Sequence, residues 1–323
     1  MNIAMIRAAA KRIEGHARRT PLLSSPFLDE IAGRRVLVKP ECLQHTGSFK
    51  FRGAWSAMSA LDDKALKSGV IAFSSGNHAQ GIALAAKAHG TIAVIAMPQD
   101  APQMKIDNTK ALGAEVILYD RHTTNREQLG ADLSESRGLT LIKPFDNAEV
   151  IAGQGTVGLE IAQDAKALGI THADVTICCG GGGLSSGIAL ALAADAPNMT
   201  ARPVEPAGFD DVTRSLVSGQ IEKNPSQVGS ICDAIMTQQV GDMTFPILKD
   251  LCGPGIVVTD DEALRTMGHA FERLKLVVEP GGAVGLAAAL FHPDALNHDT
   301  VIAVISGGNV DGPMFARALE TLH

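Results

Sequence analysis

Apolar positions along the chain fall into short runs of strand length separated by longer segments rich in alanine or with helical periodicity. Residues 70–73, 91–96 and 115–119 are three such runs, and residues 79–88 and 105–112 are the helical segments between them. Strands alternating with helices predict a parallel sheet with right-handed crossovers, and a ligand site at the carboxyl ends of its strands. A second series follows: a helix over 152–167, a strand over 174–179, a glycine-rich loop, a helix over 185–194 and a strand ending at Val204. Later come helices over 260–274 and 282–290 and a strand over 301–305. Upstream, residues 2–17 read as an amphipathic helix with Ile3, Ile6, Ala10 and Ile13 on one face. Pro21 then enforces extended backbone, residues 36–39 form a short strand, and residues 54–61 form a helix.

Two α/β units of unequal size suit this order better than one barrel. With no internal repeat, low-complexity tract or long polar linker, the boundaries are expected at short crossovers near residues 68 and 146. The larger domain then combines 1–68 with 146–323, and 69–145 is a smaller mobile one.

Composition narrows the function classes. A chain of 323 residues that is 46% hydrophobic has ample material for a core. Aromatics at 4% and 33 glycines favour a small-residue α/β enzyme over a stacking-rich nucleic-acid binder. A formal charge of -7 provides no overall field for a phosphate backbone, and the cluster Arg7, Lys11, Arg12, Arg18 and Arg19 reads as a solvated helix face. The five cysteines (Cys42, Cys178, Cys179, Cys232, Cys252) show neither CxxC nor Cys/His ligand spacing, which points to a reducing compartment. No apolar run is long enough for a signal peptide or a membrane span, so a cytoplasmic protein with neither membrane nor nucleic-acid partner is expected.

Four stretches carry candidate chemistry. TGSFKFRGA places Lys50 beside Phe49 in a small polar turn, where desolvation or a neighbouring cation can free its amine to attack a carbonyl. GGGGLSSG, from Gly180, lies between an apolar strand and an alanine-rich helix, so backbone N–H groups converge on an anion at a helix N-terminus. The same glycines mimic a dinucleotide-binding loop, with Glu205 where a ribose ligand would sit, and a nicotinamide-dependent dehydrogenase is the alternative from a different class. That alternative leaves Lys50 unexplained. SSGNHAQG offers Ser74, Ser75 and Asn77 at a strand end, with His78 either a substrate contact or a capping histidine; SGGN repeats the pattern at Ser306.

In this order and spacing, these motifs, together with DNTKALGAEV and VIAGQGTVGLE, closely resemble the fold-type-II pyridoxal phosphate enzymes, in particular the threonine/serine dehydratase and serine racemase group. The resemblance runs from about Arg19 to Asn309 and implies a two-domain fold like that of the tryptophan synthase β chain, with parallel-rich sheets flanked by helices. It casts Lys50 as the Schiff-base lysine and α-proton base, Phe49 against the cofactor ring and Asn77 on the ring hydroxyl. Gly180, Gly181, Gly182, Gly183 and Leu184 hold the phosphate, and Ser306 faces the pyridine nitrogen. Ser74, Ser75, Asn77 and His78 then meet the substrate, and Ser75 is the residue that protonates the leaving hydroxide or the opposite face. A serine opposite the nitrogen makes the ring a weaker electron sink than a carboxylate would, which favours elimination over a long-lived carbanion. The implied reaction is dehydration of L-threonine or L-serine to a 2-oxo acid and ammonia.

The resemblance also makes Glu205, Asp211 and the Phe209 carbonyl ligands of Mg²⁺, Ca²⁺ or Mn²⁺, hard ions that suit oxygen donors; an acidic loop is the plain alternative. Homodimers are usual for the group. Two departures stand near the cleft: Lys143 precedes Pro144 where histidine is usual, and Ala234 follows Asp233 where glycine is common. With Arg126 in TTNREQ, Lys143 raises the alternative of 3-hydroxyaspartate dehydratase, and reprotonation by Ser75 that of serine racemase. The short tail after SGGN leaves no room for a regulatory domain of the biosynthetic threonine enzymes.

Overall fold

The computed structural model of the protein describes every residue except Ser75, Pro102, His122, Gln227 and His323. The strands are β1 (Leu23–Ser24), β2 (Arg35–Pro40), β3 (Val70–Phe73), β4 (Ala93–Pro98), β5 (Glu115–Tyr119), β6 (Thr140–Leu141), β7 (Ala173–Cys178), β8 (Met199–Pro206), β9 (Ile256–Val258) and β10 (Thr300–Ile305). They form two sheets, ordered β1-β2-β10-β7-β8-β9 and β5-β4-β3-β6. Only the β1–β2 pairing is antiparallel. Thus the chain leaves the six-stranded sheet after β2, builds the four-stranded one, and returns at β7.

Strands β3, β4 and β7 are buried along their whole length and β10 along all but Thr300. Continuous rather than alternating apolar runs are what a parallel sheet covered on both faces requires. The helix Pro280–Phe291, buried up to Leu290, packs on one face of the six-stranded sheet, and helices Ala148–Ala167 and Gly183–Asp195 lie together on the other. Asn147 starts the long helix by accepting from the N–H groups of Glu149 and Val150.

Several expected elements shift. The first helix ends at Ile13 because Gly15 takes a left-handed φ of 75°. Helix Lys50–Ser59 begins four residues before the expected start, so the lysine is its first residue. Helices Pro26–Ala32, Arg126–Arg137, Asp211–Ser218, Thr244–Leu251 and Gly312–Glu320 had not been expected. In Arg126–Arg137 only Gly130 is buried, so the sequence carries almost no apolar stripe to reveal it. Among the described residues no helix is long and apolar enough to cross a membrane, and every cysteine is free.

Candidate active site

The carboxyl ends of β3, β7 and β10 meet at a cleft lined by Phe49, Lys50, Ser74, Asn77, His78, Arg126, the glycines 180–183, Leu184 and Ser306. Residues expected from four separate stretches are thus brought to one place. Ser75 lies outside the described residues.

The loop before Lys50 is clamped to the end of β10. Phe49 donates its N–H to the Ser306 carbonyl at 3.0 Å, Gly308 donates to the Gly47 carbonyl at 2.9 Å, and Ser48 forms a bridge with Gly307. Lys50 Nζ donates to the Pro144 carbonyl at 3.0 Å and lies 5.1 Å from the centre of the Phe49 ring. Burial pushes its amine down to about 8, against the opposing pull of the Glu279 carboxylate. A lysine held this way is readily neutral and therefore nucleophilic.

That shift has a sign that stability measurements read directly. Between about pH 8 and the ordinary lysine value of 10.5, the folded, cofactor-free protein binds fewer protons than the unfolded chain, so its stability rises with pH across this window. Lys50→Met is expected to raise the melting temperature of cofactor-free protein at pH 7 and to flatten that rise. Equal pH slopes in variant and wild type would discount Lys50 as the group responsible.

The glycine loop follows β7 and opens helix Gly183–Asp195. Gly182 adopts φ 86°, a left-handed conformation that glycine takes without strain. The Gly181 carbonyl turns away from the cleft and accepts from the Thr244 hydroxyl at 2.7 Å and from Gly241 N–H at 3.2 Å. Among the described residues no partner is found for the N–H groups of Gly180, Gly181 or Gly182. Free amides at the positive end of a helix dipole fit a phosphate.

Asn77 opens helix Asn77–Ala88 and is fixed in orientation by two neighbours. Its Oδ1 accepts from Asn309 Nδ2 at 2.8 Å, and its Nδ2 donates to Glu279 Oε1 at 2.5 Å. One hydrogen of that amide remains for a ligand oxygen. Glu279 lies against Gly307, where a methyl group would stand 2.0 Å from Oε1. Burial raises the Glu279 carboxyl to about 7, opposed by the Lys105 cation. Lys105 in turn pairs with Asp233 at 2.9 Å. Ser306 is 4% exposed and shares its neighbourhood with the Cys178 thiol, which donates to the carbonyls of Gly282 and Val304 at 3.3 and 3.4 Å.

His78 is buried, its Nε2 lies 3.0 Å from the Ile142 carbonyl, and burial together with the Lys50 charge pushes it down to about 3. A carbonyl only accepts, so Nε2 carries the proton and Nδ1 is a bare acceptor. Ser74 Oγ accepts from Gly76 N–H at 3.2 Å. Arg126 holds its guanidinium 5.7 Å from the Phe73 ring centre and pairs with no carboxylate among the described residues. Ala234 lines the cleft, and so do Pro144 and Phe145 that follow Lys143. Sequence reading overlooked Glu279, Lys105, Asp233 and Gln154; the last lies within the VIAGQG motif, the one signal available for it.

Glu205 and Asp211 sit apart from the cleft, 0% and 1% exposed. Glu205 accepts from the N–H groups of Val212 and Thr213 and from the Thr213 hydroxyl, engaging both oxygens, which does not suit a ribose ligand. Burial, then the Asp211 charge, raises it to about 8; burial raises Asp211 to about 6. Asp211 Oδ1 accepts from Asn224 Nδ2 at 2.6 Å, and no side-chain donor reaches Oδ2 among the described residues. No cluster of three or more His, Cys, Asp or Glu side chains suited to a metal is found among the described residues.

A lysine with a lowered pKa in a cleft at the strand ends, with a glycine loop whose amides are unpartnered among the described residues, suits a carbonyl cofactor that carries an anion. Residues 13–307 match the family model for pyridoxal-phosphate-dependent enzymes. The chain is 43% identical over 312 residues to an L-threo-3-hydroxyaspartate ammonia-lyase from Pseudomonas sp, covering 97% of this chain and 96% of that one. It is 40% identical to a serine racemase of Schizosaccharomyces pombe, covering 98% and 96%. Among solved structures, a threonine deaminase from T.th. superimposes with a TM-score of 0.90 at 42% identity, covering 96% of this chain and 99% of that one. The chain belongs to the pyridoxal-phosphate-dependent enzymes, with the fold of the type II group. Nothing in the site or the comparisons favours a dehydrogenase.

Proposed function

We propose that the protein is a pyridoxal-phosphate-dependent ammonia-lyase that removes water from a β-hydroxy amino acid to leave an enamine, which tautomerises and takes up water to give a 2-oxo acid and ammonia. The observation that carries this is the half-buried, readily neutral Lys50 in one cleft with a loop whose three amides are unpartnered among the described residues. The cofactor, when bound, supplies an electron sink for the electrons left at Cα. Lys50 Nζ anchors it and, once released, takes the proton from Cα. The glycine loop with Leu184 holds the phosphate, Asn77 holds the ring hydroxyl, Phe49 packs on the ring, and Ser306 meets the ring nitrogen. Ser74 and the SSGNHAQG helix start receive the substrate carboxylate, His78 Nδ1 is placed to accept from a substrate donor, and Ser75 is our assignment for the proton that leaves with the hydroxyl. Residues 69–145 act as the smaller domain; Asn77 to Glu279 and Lys105 to Asp233 tie it across the cleft and exclude water from the reacting atoms.

L-threonine and L-serine fit this reading, but Arg126 shifts our first choice of substrate to 3-hydroxyaspartate. A guanidinium at the cleft that pairs with no carboxylate among the described residues is a fork for a second carboxylate. Assay of 2-oxo acid from L-serine, D-serine, L-threonine and the 3-hydroxyaspartate diastereomers tests the choice; equal or better turnover of the monocarboxylates returns the assignment to threonine and serine, and racemisation of serine without elimination rejects the lyase.

Glu205, Asp211 and the Phe209 carbonyl are our assignment for a divalent cation, Mg²⁺, Ca²⁺ or Mn²⁺. Support comes from Asp211 Oδ2, which no side-chain donor reaches among the described residues, beside a carboxyl whose deprotonation burial opposes. Without a cation, the raised values mean that stability is lost as pH rises through about 6 and about 8. Mg²⁺ is therefore expected to raise the melting temperature more at pH 8 than at pH 6, and Glu205→Gln to abolish the gain. A gain that survives in Glu205→Gln places the ion elsewhere.

A cytoplasmic homodimer completes the proposal. Phe27, 53% exposed, lies under the Arg273 guanidinium, and Phe271 packs on Phe315 nearby, which gives an apolar face for a second copy. Sedimentation of the purified protein as a monomer would remove the dimer.

A further inference from the structure

Helix Ala148–Ala167 carries Gln154, 1% exposed, into the wall of the cleft. Its neighbours in the chain fix where it stands. Gly153 abuts the Arg52 carbonyl on the helix that begins with Lys50, and Gly155 abuts the Gly187 carbonyl on the helix opened by the glycine loop. Gln154 is therefore wedged between the element that anchors the cofactor and the element that faces its phosphate.

The orientation of the amide is determined by Gly53, whose N–H donates to Gln154 Oε1 at 3.2 Å. Nε2, with two hydrogens, is left without any acceptor among the described residues. Among the described residues that line the cleft, His78 Nδ1 and Thr237 Oγ1 are also unpartnered, and neither is bonded to Gln154. Buried amide donors are rarely left unpaired, and a donor at a ligand cleft points to a ligand acceptor.

We propose that Gln154 is a ligand-binding residue that donates Nε2–H to an anionic oxygen held in the cleft, the cofactor phosphate by position and otherwise the substrate carboxylate. The proposal rests on the pyridoxal phosphate reading of the site. The bond is charge-assisted, so removing the donor should be felt in affinity before it is felt in chemistry.

Apoprotein of the wild type, Gln154→Glu and Gln154→Met is titrated with pyridoxal phosphate and with phosphate-free pyridoxal, and each holoenzyme is titrated with succinate. Gln154→Glu keeps the acceptor for Gly53 N–H and loses the donor, while Gln154→Met loses both. Affinity for pyridoxal phosphate is expected to fall about tenfold or more in both variants, with pyridoxal unchanged. A loss confined to succinate supports the same donor with the substrate carboxylate as its acceptor. Unchanged affinity for all three ligands, or equal weakening of pyridoxal phosphate and pyridoxal, overturns the proposal. Thermal melting of each variant shows whether it is folded, and the Met variant carries the test if the Glu variant is not. Failure of wild-type apoprotein to bind pyridoxal phosphate would strike the cofactor reading instead.

Discussion

Lys50→Ala is expected to lose about four orders of magnitude in turnover, together with the visible absorbance of the lysine-attached cofactor. Both effects follow from one side chain with two duties. Its amine is buried beside Phe49 and brought down to about 8, so it serves as nucleophile toward the cofactor and as base toward Cα. The glycine amides, Asn77 and Ser306 do not depend on it, so the variant should still bind pyridoxal phosphate, now reversibly. Retention of turnover within tenfold of wild type, or of a visible band that borohydride bleaches while fixing the cofactor covalently to the variant, would rule out Lys50 as the anchor.

Arg126→Leu is expected to lower kcat/KM for 3-hydroxyaspartate about 100-fold and to leave L-serine and L-threonine within about threefold, because only the dicarboxylate loses charge-assisted hydrogen bonds. The guanidinium is at the first position of helix Arg126–Arg137, is held only by the Phe73 ring among the contacts seen, and has no acid to release. Its removal therefore leaves no buried carboxylate stranded, and the measurement reports on substrate rather than on folding. Equal losses for mono- and dicarboxylic substrates would show that Arg126 has no part in selectivity.

What the sequence disclosed depended on whether a function is written in adjacent residues. The glycine loop, Lys50, Asn77 and Ser306 each sit in a short motif at a strand or helix end, and the alternation of apolar runs placed those ends on one edge of the sheets. The helix at Arg126–Arg137 is hard to read from sequence because Leu129 and Leu133 are its only large apolar residues and only Gly130 is buried. Glu279, Lys105 and Asp233 escaped for a different reason. The Asn77–Glu279 contact spans 202 residues and the Lys105–Asp233 pair spans 128, so no local spacing announces either.

The tight fit of Glu279 against Gly307 has a wider consequence. Where a single methyl would stand 2.0 Å from a carboxylate oxygen, the cofactor frame on the six-stranded sheet has almost no freedom to accept change. The opposite wall, contributed by Phe73, Ser74 and Arg126 from the four-stranded sheet and its helices, is made of strand ends and an exposed helix start. A larger residue at Gly307 therefore has nowhere to go, whereas the exposed Arg126 can be exchanged without displacing a packed neighbour.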